Sequence, residues 1–277
     1  MAIPVLLAAA AMRIPVVLWE GNVIPGRSVR ATARFASYLA VSYPATCRSL
    51  GGRCYVTGTP IRDVRRIDRE EARRRLELEP GDRMLLIFGG SQAVRRFNAA
   101  VSGALERLVE RVHVVHVTGE AGYAGALADR ERLPLAARAR YRPHAFLRDD
   151  MPSVLAAADL VVGRGGSSTL AEVTALGLPI VVVPYPHAAG HQRANARVLV
   201  EAGGAVLVED ALFDATALLD AAAILDDPGR HASMVAASRA LGRPGAAAAV
   251  AALVMSAAER GPEPDPAAIE RLARGGA

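Results

Sequence analysis

The sequence predicts an α/β protein built on parallel sheets, and three observations carry that prediction. Short apolar runs alternate with helical patterns along most of the 277 residues. The composition is 52% hydrophobic but only 4% aromatic, with Ala, Val and Leu dominant, which suits helices packed on sheets buried on both faces. Several strand-like runs end in a glycine loop that opens a helix, the pattern of right-handed βαβ crossovers.

The elements follow in order. "IPVVLWE" reads as a strand, "GNVIPGR" as a loop and "SVRATARFASYLA" (28–40) as a helix. "YVTGTPIRD" is a strand end with a Gly/Pro turn, and "REEARRRLELE" is a polar helix. "RMLLIFGGSQ" is a strand ending in glycines, "AVRRFNAAVSGALERLVER" an amphipathic helix and "VHVVHVTGE" a strand. "RYRPHAF" is a short strand, and "DDMPSVLAAA" a helix capped by Asp149 or Asp150. "DLVVGRGG" is a strand, "SSTLAEVTALG" a helix with a glycine stop, and "PIVVVPYP" a strand. "HQRANARVLVEAGG" is a helix and "AVLVED" a strand, after which the chain from Asp227 onward is helical.

The net charge is +5 with a pI near 9.7, and arginine supplies all of the basic charge. That balance favours anionic partners. The run Arg65, Arg66, Arg69, Arg73, Arg74, Arg75 interleaves with Asp68, Glu70 and Glu71 and reads as a solvated helix face. It carries no interleaved aromatics, which argues against nucleic acid. Contact with anionic phospholipid is the minority reading of the same charge. Cys47 and Cys54 match no zinc pattern, so both are expected to be reduced, in a cytoplasmic compartment. The run "IPVLLAAAAM" is broken by Arg13, short of the ~20 apolar residues of a spanning helix.

In open parallel sheets ligands bind beyond the carboxyl ends of strands. The loops there are "GGSQ" (89–92), "HAFLRDD" (144–150), "GRGGSST" (163–169) and "PYPHAAGHQ" (184–192). Two are glycine-rich and open a helix, so they suit a phosphate or pyrophosphate, with Ser91, Ser167, Ser168 and Thr169 as hydroxyl donors. Neither is a P-loop, because no Lys-Ser/Thr follows the glycines. Glu172, one turn into its helix, can accept two ribose hydroxyls or be a solvated helix glutamate. Gln192 and Asn195 share a helix face and suit a hydroxyl-rich sugar, or serve as capping and surface polarity. Arg62 is matched to a diphosphate, or begins the basic run. No metal cluster is convincing.

"WEGNVIPGR", "VTGTPIR", "LLIFGGSQ", "DDMPSVLAAADLVVGRGGSSTLAEVTALGLPIVVVPYP" and "HQRANA" stand in an order and spacing that together resemble the MurG family of bacterial UDP-N-acetylglucosamine transferases. The resemblance runs from the first residues to about Glu209. It implies a GT-B fold of two Rossmann-like domains, with no metal and no cofactor. The implied reaction moves N-acetylglucosamine from UDP-N-acetylglucosamine to the muramyl 4-hydroxyl of lipid I, with inversion, giving lipid II. The implied place is the cytoplasmic side of the cell membrane, as a peripheral protein.

Residue by residue, the resemblance implies that Asn22 reaches the sugar and that Arg62 and Ser91 lie near the diphosphate. Leu147 (or Arg148) meets uracil, Ser167, Ser168, Thr169, Leu170, Ala171 and Glu172 form the helix-start segment, and Gln192 holds sugar hydroxyls. Trp19 and Gly21 stand where the family usually has histidine and glutamine. The family opens with a strand and a glycine loop bearing a histidine, a candidate general base. This sequence opens later, so we expect an N-terminally truncated chain whose base lies outside it. The donor domain is then complete and the acceptor domain only partly present. The expected domains are 1–62, an acceptor-domain remnant; 63–240, the UDP-sugar-binding domain; 241–260, a helix returning to the first domain; and 261–277, a polar, partly disordered tail. The alternatives are a GT-B enzyme with another lipid or small-molecule acceptor, and a non-catalytic nucleotide-sugar-binding remnant.

Overall fold

The computed structural model describes residues 2–89, 95–188 and 190–276. Contacts divide the chain into two compact units. One holds Met1–Asp63, Gly166–Glu172 and Gly242–Ala277, and the other Val64–Gly165 and Val173–Leu241.

The first unit begins with α1 (Ala2–Ala11), β1 (Val17–Glu20), α2 (Arg27–Thr32), β2 (Tyr38–Val41), α3 (Pro44–Leu50) and β3 (Cys54–Val56). The three strands form a parallel sheet in the order β1-β2-β3. The helix expected over 28–40 is therefore too long. It stops at Thr32, passes through a 3-10 turn at Ala33–Phe35, and gives way to the central strand of the sheet. A four-residue apolar strand buried on both faces has no period to separate it from the end of a helix.

The cysteines also depart from expectation: Cys47 and Cys54 form a disulfide. Gly51 and Gly52, at φ 67° and 72°, turn the chain sharply between α3 and β3. The turn leaves the two Cα atoms 5.5 Å apart, inside bridging range.

The second unit continues with α4 (Arg69–Arg75), β4 (Met84–Phe88), α5 (Arg95–Val109), β5 (His113–Val117), α6 (Glu120–Arg132), α7 (Leu135–Arg138), β6 (Tyr141–His144), α8 (Met151–Ala157) and β7 (Leu160–Gly163). Then come α9 (Ser167–Leu176), whose first six residues group with the first unit, β8 (Ile180–Val182), α10 (His191–Glu201), β9 (Ala205–Leu207), α11 (Ala215–Ala222) and α12 (Pro228–Leu241). The six strands are all parallel, in the order β6-β5-β4-β7-β8-β9. Counted from β4 this is the doubly wound order 3-2-1-4-5-6. Leu85, Ile87, Val114, Leu160, Val162 and Val181 pack with Phe97, Val101 and Leu108 of α5 to make the main core.

The arginine run is not simply a solvated face. Arg74 and Arg75 pair with Glu71 at the surface. Arg69 and Arg73 instead reach the buried Asp159, at 2.8 and 3.2 Å, and donate to the carbonyls that end α8. Asp159 also accepts from Met84 N–H at 2.8 Å. The carboxylate thus locks α4 to the starts of β4 and β7, and burial of its charge is offset by two guanidinium groups.

The chain ends with α13 (Ala246–Glu259) and α14 (Pro266–Ala273), both in the first unit. Leu253 and Ala257 of α13 and Ile269 and Ala273 of α14 pack with Tyr38, Ala40 and Tyr55 of the small sheet. A polar, partly disordered tail was expected over 261–277, and within it 266–273 forms a helix. Asp265 caps it through Ala267 and Ala268 N–H, Pro266 occupies the first turn, and two apolar residues anchor it. Residues 228–259 are apolar enough to suggest a membrane span. They form two helices of 14 residues, however, interrupted at 242–245, and each is about 21 Å long against a ~30 Å bilayer core.

His116 on β5 is 1% exposed, and its Nδ1 lies 2.9 Å from Tyr141 Oη. Burial pushes its pKa down to about 3. The unfolded chain therefore binds a proton that the folded chain refuses, so stability falls as pH drops from about 6.5 toward 3. Urea unfolding of the wild type and of His116→Phe should show the wild type losing ground to the variant across that window, and parallel acid limbs would contradict this.

Candidate active site

The strand order of the second unit reverses between β4 and β7, and such switch points are where open α/β sheets bind ligands. Phe88 and Gly163, the last residues of those strands, are register partners, so the loops that follow leave from adjacent points. In the loop after β4 only Gly89 is described; Ser91 lies outside the described residues. The loop after β7 is fully described and is built tightly.

Arg164 follows Gly163 directly and is buried, a residue the sequence reading did not single out. Its guanidinium donates to Asp210 Oδ1 at 2.5 Å and to the Val183 carbonyl at 3.0 Å. It also lies 4.7 Å over the Phe97 ring and 5.6 Å from that of Tyr185. Gly165 comes next, and no side chain fits there: a Cβ would lie 2.5 Å from the Gln192 carbonyl oxygen. That closeness brings the first turn of α10 onto the loop. Asn195, fully buried, donates to the Gly165 carbonyl at 3.3 Å, and Gln192 Oε1 accepts from Tyr185 N–H at 2.9 Å. Gln192 and Asn195 therefore do meet the glycine loop, with Asn195 turned inward as a structural donor.

Leu147 is half-buried in the loop after β6, a strand separated from β4 by β5. Arg148 beside it is exposed.

In the first unit, Glu172 is half-buried and Arg62 Nε lies 3.6 Å from its Oε1. Burial raises the Glu172 pKa, while the Arg62 charge acts the other way. Ser167 is part-buried at the start of α9, Ser168 is exposed, and Thr169 and Ala171 are partly exposed. Leu170 is 1% exposed, so a ligand could meet only its backbone. The N-terminus of α9 carries no acidic residue in its first turn, which leaves the positive end of its dipole uncancelled. Asn22 donates its side-chain amide to Glu20 Oε1 at 3.0 Å.

Glu20 is a second residue the sequence reading missed. Buried at the end of β1, it accepts from Asn22 N–H at 2.9 Å and from Gly26 N–H at 2.8 Å, and so shapes the "GNVIPG" loop. Its signal was available: an acidic residue closing a strand that leads into a Gly/Pro loop, where backbone N–H groups need acceptors that no ladder supplies.

The doubly wound sheet, its tightly built glycine loop at the switch point and the amide-bearing helix pressed on that loop define a GT-B-type glycosyltransferase domain. Residues 84–249 match the glycosyltransferase family 28 C-terminal domain. The UDP-N-acetylglucosamine–N-acetylmuramyl-(pentapeptide) pyrophosphoryl-undecaprenol N-acetylglucosamine transferase of Frankia casuarinae is 40% identical over 263 residues, covering 92% of this chain and 68% of the relative. The chain belongs to that family of transferases, the MurG family. Among solved structures, Acinetobacter baumannii MurG superimposes with a TM-score of 0.72 at 24% identity, covering 92% of this chain and 70% of that one. A UDP-GlcNAc 2-epimerase from Neisseria meningitidis superimposes at 0.66 and 13% identity, covering 91% and 72%. The fold is thus shared with a different chemistry, and the family rests on the sequence match.

Replacing Arg164 by Leu should destabilise the protein by roughly 1–3 kcal/mol, because the Val183 carbonyl and Asp210 each lose a charged donor while Arg96, 3.2 Å from Asp210, still pairs with that carboxylate. The double change Arg164→Leu/Asp210→Leu should recover part of that loss. Chemical denaturation of the two variants measures both numbers, and equal losses would mean the ion pair is not what holds the loop.

Proposed function

We propose that the chain transfers N-acetylglucosamine from UDP-N-acetylglucosamine to the muramyl 4-hydroxyl of lipid I, with inversion, to form lipid II for peptidoglycan. One observation carries the reading. The likeness to the named transferases extends over 92% of the chain, beyond the nucleotide-binding domain alone. The protein acts at the cytoplasmic face of the membrane, where the acceptor lipid sits, and its basic charge favours contact with anionic phospholipid.

The site residues take the following roles in this reading. The glycine-lined start of α9, with Ser167, Ser168 and Thr169, receives the diphosphate. Arg62 and Ser91 add charge and a hydroxyl to it. Negative charge that develops on the departing UDP meets fixed dipoles already in place, which is electrostatic catalysis. Glu172 accepts the ribose hydroxyls and Leu147 lies against uracil. Gln192 presents its amide to the sugar, with its oxygen fixed by Tyr185 N–H. Asn22 approaches the sugar from its own loop. The base that takes the acceptor proton is not assigned to any residue here.

Glu172→Ala should weaken UDP binding by roughly 1–3 kcal/mol, the worth of hydrogen bonds to a charged acceptor. Titration calorimetry showing unchanged affinity would remove Glu172 from the ribose role. The same instrument tests pH. The folded Glu172 pKa is raised by burial, so protonation, and with it loss of UDP affinity, should begin above the usual carboxylate range as pH falls. In Glu172→Gln that pH dependence should disappear. Formation of lipid II from purified lipid I and UDP-N-acetylglucosamine tests the reaction itself.

A further inference from the structure

Trp19 is the only tryptophan in the chain, and the residue is 39% exposed. The ring is nevertheless fixed. It stands on β1, and its Nε1–H donates to the Gly58 carbonyl at 3.1 Å. Its six-membered edge covers Gly21. A Cβ at Gly21 would lie 2.6 Å from the indole Cη2, 2.8 Å from Cζ2 and 2.9 Å from Ser167 Oγ. One glycine is therefore flanked on one side by the indole and on the other by the residue that opens α9. Trp19 and Gly21 are linked sterically, because the large ring occupies the space that a side chain at position 21 would need.

An aromatic ring held by a hydrogen bond and by backbone packing meets a ligand already ordered, so little side-chain entropy is lost when a flat apolar face lies on it. It sits next to Ser167, where the proposed function puts the diphosphate. The group attached to that diphosphate is a pyranose, whose C–H-rich face is apolar and flat enough to lie on an indole. We propose that Trp19 is a stacking platform for a hexosamine ring, and that Gly21 is the clearance that lets the indole lie there. This rests on the donor reading above. The hexosamine belongs to either the donor sugar or the acceptor sugar, and the experiment separates the two.

Because the chain has one tryptophan, emission excited at wavelengths beyond tyrosine absorption reports on this ring alone. The protein is titrated with UDP, with UDP-N-acetylglucosamine and with a short-chain lipid I analogue, while calorimetry measures binding of each in parallel. The expected result is a blue shift and intensity change with one hexosamine carrier and little with UDP. The carrier that causes it identifies the sugar. Trp19→Ala should weaken that carrier roughly threefold to tenfold and leave UDP affinity within about twofold, with Trp19→Phe in between. Gly21→Gln should impair the same ligand, and Trp19→His/Gly21→Gln should relieve the impairment. A full response to UDP alone, or none to any ligand that calorimetry shows bound, overturns the platform and leaves the donor reading standing. Absence of UDP-N-acetylglucosamine binding by calorimetry overturns both.

Discussion

Arg164 is a buried cation in the middle of a glycine loop, and the geometry of that loop depends on it. Its charge is tolerated because Asp210 pairs with it and the ends of β8 and the ring of Phe97 complete its surroundings. Each partner comes from a different element of the second unit: α5, the loop after β8 and the segment after β9. One side chain thus fixes the place where β7 ends. A flexible glycine loop on its own would sample many backbone states and lose conformational entropy on binding. Anchored by Arg164, the loop is already in one state, and dipoles that stabilise developing charge act best when they need no reorganisation.

Two glycines in the same region serve different ends, and neither is merely a flexible hinge. Gly165 is required for approach, since any side chain there would push α10 away from the loop. Gly190 is required for conformation: it precedes α10 in the left-handed region at φ 79° with open space where a Cβ would stand. The helix bearing Gln192 is therefore aimed by one glycine and seated by the other. Asn195, one turn later, contributes a buried hydrogen bond to the seat.

Much of the second unit was legible in the sequence because its strands are uniform apolar runs, each followed by turn residues. "MLLIF", "HVVHV" and "LVVG" all became strands where the pattern put them. What stayed hidden has a common cause. Tyr38–Val41 is a strand because two other strands flank it, a fact no local window contains. Arg69 and Arg73 share their helix with Arg74 and Arg75, and only the distant Asp159 separates clamp from solvated face. The disulfide and the anchored tail likewise depend on neighbours far along the chain or on the angle of a turn. The candidate site divides in the same way. Glycines, serines and Glu172 announce themselves by type and position, whereas Arg164 and Glu20 matter through the groups they satisfy.

The pair formed by Arg62 and Glu172 shows why site residues should not be given one role each. Burial works against ionisation of Glu172, and Arg62 at 3.6 Å works for it. In the proposed function both residues act on ligand, one on phosphate and one on ribose. Yet Arg62 also favours the charged form of Glu172, the form that accepts hydroxyls, against the effect of burial. Under that proposal, removing Arg62 takes away a phosphate contact and, at the same time, raises the pH at which the neighbouring carboxylate protonates. The two effects differ in their signature. A lost phosphate contact weakens binding equally at every pH, whereas a disturbed carboxylate weakens it most at the acid end. A single affinity measured at one pH merges them, and only their pH profiles tell a ligand contact from support of a neighbour.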